Sequence, residues 1–224
     1  MRLQKFLANA GITSRRKAED LILDGAIKVN GRQINKLGIQ IDENNDQVEF
    51  GGQIIKLSSS KIYLALHKPV DYISTTTNKQ GKSILNLVNV KEKIYPVGRL
   101  DKDSSGLIIL TNDGEFTNQI THAKYGCQKQ YFVTLNQDLT PQDIKKMERG
   151  MSLSGKKLQP AKIVSAKNKS ATIILNEGIN RQIRRMFGSL GYTVIKLKRI
   201  KIGNLELGDL KSGQFKKIKP SDVI

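Results

Sequence analysis

Beyond residue 61 the apolar side chains come in short runs, at 62–66, 107–110, 130–135, 171–175 and 193–197, and this spacing limits the fold more than any other feature. Runs of this length suit a buried or half-buried strand and fall short of a buried helix. Between them, 113–122, 141–149 and 181–190 carry apolar residues at helical spacing. The two patterns alternate irregularly, which argues against a regular βαβ array. They predict an α+β domain built on a mixed, largely antiparallel sheet flanked by helices. No run approaches the ~20 apolar residues of a membrane span, and a hydrophobic content of 38% is enough for a real core.

The first quarter of the chain is patterned differently. Leu3, Phe6 and Leu7 have helical spacing and are followed by Gly11. Ser14 is placed to cap a second helix with Ala18, Leu21 and Ile22 on one face, and Gly25 ends it. Asn30-Gly31, set within 27–34, is a strong short hairpin signal. Gly51-Gly52 marks a second hairpin between Val48 and Ile55. Leu57-Ser58-Ser59-Ser60-Lys61 reads as a linker, so two domains are expected, 1–58 and 62–224.

The 38 Lys and Arg against 20 Asp and Glu leave a formal charge of +18. A polyanionic partner is the first expectation, nucleic acid before a membrane surface. The basic stretches have no flanking Trp/Phe-rich amphipathic helix, and the chain contains no Trp. Cys127 is the sole cysteine, which excludes an internal disulfide and a thiolate zinc cage. His67 and His122 are distant in sequence and are read as structural or surface groups, so no metal site is expected. Met1-Arg2-Leu3-Gln4-Lys5 lacks the apolar run of a signal peptide. The expectation is a cytoplasmic monomer.

Arg15, Arg16 and Lys17 fall in the first turn of the second helix. The helix terminus already carries partial positive charge there, and each cation typically costs a few tenths of a kcal/mol. An anion at this end would offset that cost, so a phosphate site made by these side chains and free backbone N–H groups is expected in preference to a merely solvated basic surface. These residues also carry a resemblance. Met1 to Leu7, Thr13-Ser14-Arg15-Arg16-Lys17-Ala18-Glu19 and Val29-Asn30-Gly31 resemble the RNA-binding domain named after ribosomal protein S-four. It implies binding to structured RNA.

The chemistry candidate is the segment from Tyr95-Pro96-Val97-Gly98-Arg99-Leu100-Asp101 through Lys102-Asp103-Ser104-Ser105-Gly106 to Leu107-Ile108-Ile109-Leu110-Thr111-Asn112-Asp113-Gly114. By its pattern this is a Gly-flanked charged loop entering a buried strand, with Asp101 on the loop. The segment is similar to the signature of pseudouridine synthases of the RsuA/RluB type. A second block, Glu177-Gly178-Ile179-Asn180-Arg181-Gln182-Ile183-Arg184-Arg185-Met186-Phe187, matches that family too, as does the shorter Lys129-Gln130-Tyr131. Two positions depart from the pattern. Asp71 stands in Lys68-Pro69-Val70-Asp71 where the family commonly has Gly, and Ser104 stands where Thr is usual.

The resemblance implies isomerisation of a uridine in ribosomal RNA, without redox change and so without a cofactor. It assigns Asp101 as nucleophile or base, Arg184 as the cation that keeps it ionised, and Tyr131 as the ring stacking on a flipped uracil. The apolar face formed by Ile183, Met186, Phe187 and Leu190 leaves Arg184 at its border, with Arg181 and Arg185 pointing away toward RNA. Leu197 is expected to floor the pocket and Arg99 to hold a phosphate beside it. The stretch 181–201 contains seven cations and no acid, a single-sign field for RNA. The Ser14 to Glu19 segment looks more like the members that modify large-subunit rRNA, so a stem-loop of that RNA or a pre-ribosomal particle is the expected partner. The alternative is an rRNA-binding or assembly protein without catalysis. A glycosidase-like use of Asp101 with Asp103 is disfavoured, because i,i+2 carboxylates on one loop do not make a facing pair.

Overall fold

The computed structural model describes residues 1–57 and 60–224. The chain forms two compact units, Met1–Lys61 and Ile62–Ile224. Ser58 and Ser59, within the expected linker, and the expected domain end at 58 lie outside the described residues.

In the first unit, α1 (Leu3–Asn9) and α2 (Arg15–Leu23) precede β1 (Ile27–Val29), β2 (Arg32–Ile34), β3 (Val48–Phe50) and β4 (Gln53–Ile54). The strands form a sheet in the order β2-β1-β3-β4. Ser14 Oγ accepts from Lys17 N at 3.3 Å, as an N-cap should. Asn30 (φ 51°) and Gly31 (φ 77°) are both left-handed, the twist a two-residue hairpin requires, and Val29 pairs with Arg32 across it. Leu3, Phe6, Leu7, Ala18, Ile22 and Ile27 close the core. Burying them leaves Arg15, Arg16 and Lys17 exposed together at the start of α2.

The second unit contains β5 (Tyr63–Lys68), β6 (Tyr95–Val97), β7 (Ser105–Thr111), α3 (Gly114–Thr121), β8 (Lys129–Leu135) and α4 (Pro141–Arg149). It continues with β9 (Ser152–Leu153), β10 (Lys156–Lys157), β11 (Lys162–Lys167), β12 (Ser170–Leu175), α5 (Gln182–Ser189), β13 (Val194–Ile202), β14 (Leu205–Glu206) and β15 (Phe215–Lys217). The main sheet runs β11-β12-β8-β13-β7-β5-β15, with β14 on β13 and β6 on β7. Its pairings are antiparallel apart from β13 with β7. The α+β architecture and the mixed sheet agree with the sequence pattern. Val133, Leu135, Ile173, Met186, Phe187 and Leu197 are part of one core beneath β8, β12, β13 and α5. Both faces of β5 and β7 are covered, by Ala65, Leu107 and Ile109 on one side and Leu64, Ile108 and Leu110 on the other.

Strand β13 runs past the expected 197 to Ile202. Its Lys- and Arg-rich second half reads as surface in isolation, but pairing with β8, β7 and β14 holds it extended. Strands β6, β9, β10, β11, β14 and β15 carry no apolar run of their own and exist through their partners. No helix among the described residues is long and apolar enough to cross a membrane.

The parallel contact between β7 and β13 depends on Gly106, which faces Arg199. Gly106 has φ 110°, and a Cβ there would overlap the backbone oxygen and nitrogen of Arg199. Gly106→Ala should therefore cost on the order of 3 kcal/mol or more of unfolding free energy in urea denaturation. A loss below about 1 kcal/mol would show that the strands part easily at this point.

Candidate active site

The charged loop predicted from the sequence joins β6 to β7. Gly98 opens it in the left-handed region at φ 71°. Ser74 Oγ clamps the next turn, accepting from Leu100 N at 3.0 Å and donating to Leu100 O at 2.9 Å. Ser104 N donates to Asp101 O at 3.1 Å and closes the loop on itself, while Lys102 O accepts from Asp71 N at 2.8 Å.

Beneath the loop lies Lys68, which is completely buried. Its ammonium donates to Ser104 O at 2.6 Å and Pro69 O at 2.9 Å, with a longer contact to Lys102 O at 3.5 Å. Burial pulls its pKa down to about 8, and the charges of Asp103, Asp101 and Asp71 oppose that fall. Asp71, the departure from the family's Gly, takes the left-handed conformation at φ 67°. Asp tolerates this region better than most residues, so the turn keeps a glycine-like shape.

Asp101 is held at the side of a cleft of about 270 Å³, which Arg99, Tyr131, Arg181, Leu197 and Arg199 also line. The Asp101 side chain keeps 30% of its surface exposed, so it can meet a substrate. Tyr131 is half-buried, Leu197 is buried, and Arg99 is exposed. Strand alternation places Tyr131 on one side of β8 and Leu197 with Arg199 on the matching side of β13.

The expected pair of Arg184 with Asp101 does not form. Arg184 Nη1 donates to Val194 O at 2.9 Å and Nη2 to Asp103 O at 2.9 Å. Its Nε lies 3.2 Å from Asp103 Oδ2 but is not aligned to donate to it. Arg181 stands nearer the reacting position, with Nη1 3.8 Å from Asp101 Oδ2 and a two-pronged contact to Asp103 at 3.3 Å on each oxygen. The reason is local. Arg181 is the N-cap of α5 in the left-handed region (φ 49°, ψ 31°), so the helical wheel that turned it away from the cleft does not apply to it. Arg185 follows the wheel and donates to Ser154 Oγ at 2.9 Å, away from the loop.

Asp103 joins both arginines to the loop, Arg181 through its carboxylate and Arg184 through its main-chain carbonyl. Lys129 and Arg199 also line the cleft and were not singled out. The signal was present: each lies two residues from a selected position, Tyr131 and Leu197, and strand residues two apart share a face. Lys129 Nζ donates to Ile120 O at 2.7 Å and Cys127 O at 2.6 Å, and burial lowers its pKa. Arg199 Nε donates to Leu107 O at 2.7 Å, while its buried Nη2 has no partner. Among the described residues no cluster of His, Cys, Asp and Glu is placed to hold a metal ion.

Residues 62–189 match the RNA pseudouridylate synthase family, and residues 1–48 match the S4 domain. The chain is 40% identical over 99% of its length to ribosomal large subunit pseudouridine synthase B of Bacillus subtilis, covering 93% of that protein. It is 35% identical over its whole length to dual-specificity RNA pseudouridine synthase RluF of Escherichia coli K12, covering 77% of that protein. A solved crystal structure of a pseudouridylate synthase superposes with a TM-score of 0.73 at 31% identity, over 99% of this chain and 97% of the other. The chain therefore belongs to the RNA pseudouridylate synthase family and carries an S4 domain ahead of the catalytic one.

The depressed Lys68 pKa has a measurable consequence. Below about 8 the folded and unfolded chains both carry the proton, and the folded state bears the burial penalty. Between about 8 and the ordinary 10.5 the folded protein sheds the proton first, so Lys68 makes stability rise with pH across that window. The unfolding free energy of the wild type minus that of Lys68→Met should increase between about pH 7.5 and about pH 9.5. A pH-independent difference would mean that Lys68 titrates as an ordinary lysine.

Proposed function

We propose that this enzyme converts a uridine of large-subunit ribosomal RNA to pseudouridine, acting in the cytoplasm as a monomer on a stem-loop or pre-ribosomal particle. The observation that carries the reading is the position of Asp101. It is a partly exposed carboxylate on a loop clamped from below, opening into a cleft with an aromatic ring, an aliphatic floor and guanidinium groups. The names of the relatives, ribosomal large subunit pseudouridine synthase B and RluF, support the RNA class.

The reaction is an isomerisation. The bond from N1 of uracil to C1′ of the ribose breaks, the ring turns, and C5 bonds to C1′. C5 then loses its proton and N1 gains one, so no electrons enter or leave. Asp101 serves as nucleophile at the sugar or as base for a sugar proton, and either role needs an ionised carboxylate. The target nucleotide must leave its helix to reach Asp101, and Tyr131 stacks on the extruded base. Leu197 floors the pocket, and Arg99, exposed at the cleft, holds a phosphate beside it. Arg184 acts through the loop: it holds Asp103 and the Val194 carbonyl, and Arg181 supplies the charge facing Asp101.

Asp101→Asn should lower pseudouridine yield on rRNA by at least about 10³-fold while leaving RNA affinity unchanged. Asp209→Asn, on the exposed surface, is the control. Asp103→Asn should cost on the order of 10- to 100-fold, because it breaks the two-pronged contact of Arg181 and removes the charge beside Arg184, which lets the loop shift. Substantial turnover by the Asp101→Asn protein would overturn the mechanism.

Arg15, Arg16 and Lys17 supply phosphate contacts from the S4 domain. Replacing all three with Gln should weaken rRNA binding and reduce the slope of log K against log salt by roughly 0.7–0.9 for each phosphate that is no longer neutralised. Turnover of RNA already bound should persist. An unchanged slope would remove α2 from the RNA interface.

A further inference from the structure

The strands that carry Tyr131, Leu197 and Arg199 into the cleft have a second face. Tyr131 and Phe132 are consecutive in β8, so Phe132 points to the opposite side, away from Asp101. Phe132 is 41% exposed on a strand paired on both sides. Register aligns Thr172 of β12 and Lys198 of β13 directly across from it, and Lys196 across from Thr134. Further out, β11 adds Lys162 and Lys167 to the same face, opposite Ile174 and Ser170. None of the four strands contains an acidic residue. Among the described residues, none of these four lysines is in a salt bridge.

Lysines on β11 have an ordinary explanation, since charge on an edge strand deters pairing with other chains. That explanation does not reach Lys198, which lies between β8 and β7, or Phe132 in the middle of the layer. A single exposed apolar residue is also ordinary. An aromatic ring framed by lysines and hydroxyls on four strands without an acid is a different arrangement, because it offers a stacking plane together with charge for a backbone; Glu206 of β14, at the margin of this face, is paired with Lys201.

We propose that this rear face of the β11-β12-β8-β13 layer binds a second, single-stranded segment of the RNA substrate, with a base stacked on Phe132 and its phosphates on Lys196 and Lys198. Charge complementarity selects RNA over a protein partner, because four lysines with no carboxylate match a polyanion. The inference rests on the reading of the chain as an enzyme on long rRNA. A minimal hairpin that fills the cleft would not reach the rear face, whereas an extended rRNA domain would.

The chain lacks Trp, so Phe132→Trp creates a single fluorescent reporter that also preserves stacking. Large-subunit rRNA transcript should quench this reporter, and inorganic polyphosphate, which has charge but no bases, should not. Phe132→Ala should weaken affinity for the transcript by at least about five-fold, with turnover of bound RNA unchanged. Lys198→Gln should lower the salt slope by about 0.7. Equal quenching by polyphosphate, or unchanged affinity in Phe132→Ala, would overturn the proposal. Quenching by rRNA in a protein that forms no pseudouridine would leave the rear-face site standing and count against the enzymatic reading alone.

Discussion

The arrangement rests on one buried ammonium. Lys68 has no exposed surface, and burying a charge without compensation is costly. Carbonyls of Pro69 and Ser104 accept from it, so the penalty is offset only while the loop keeps its present path. That makes the loop geometry a condition of stability. The Ser74 clamp on Leu100 and the close approach of Gly106 to Arg199 hold the same segment at its two ends. Asp101 is thus fixed by groups that leave its own carboxylate free to meet a substrate, which is what pre-organised chemistry requires.

Charge is arranged in layers around this point. Arg181 faces Asp101 and Asp103, Arg184 ties Asp103 to the start of β13, and Lys129 and Arg199 stand deeper in the cleft on backbone carbonyls. Neither Lys129 nor Arg199 has a carboxylate partner among the described residues, in keeping with a chain of net charge +18. Arg99, Lys129, Arg181 and Arg199 outnumber Asp101 and Glu177 around the cleft, and that excess attracts RNA phosphates.

Much of the fold was legible because its signals are local. Asn30-Gly31 sets a hairpin by backbone conformation alone, Ser14 caps α2, and the apolar run within β7 declares a buried strand. The extension of β13 and the short strands β6, β11 and β15 were not legible, since their extended form comes from partners distant in sequence. At the site, the family resemblance named Asp101, Tyr131 and Leu197, and all three line one cleft. The helical wheel turned Arg181 away from the cleft, but it is a cap residue with left-handed backbone and stands beside Asp101. The part of Lys68 was hidden because a lysine beside a proline gives no sign of burial in the sequence.

The central claim is that this chain, through the Asp101 loop, modifies one uridine in large-subunit rRNA. Chemical mapping of pseudouridine across both ribosomal RNAs, in cells with and without the protein, tests it most directly. The account predicts that a large-subunit pseudouridine disappears with the protein and returns when the protein is restored. Identical maps in the two cells, or a loss confined to the small-subunit RNA, would contradict it.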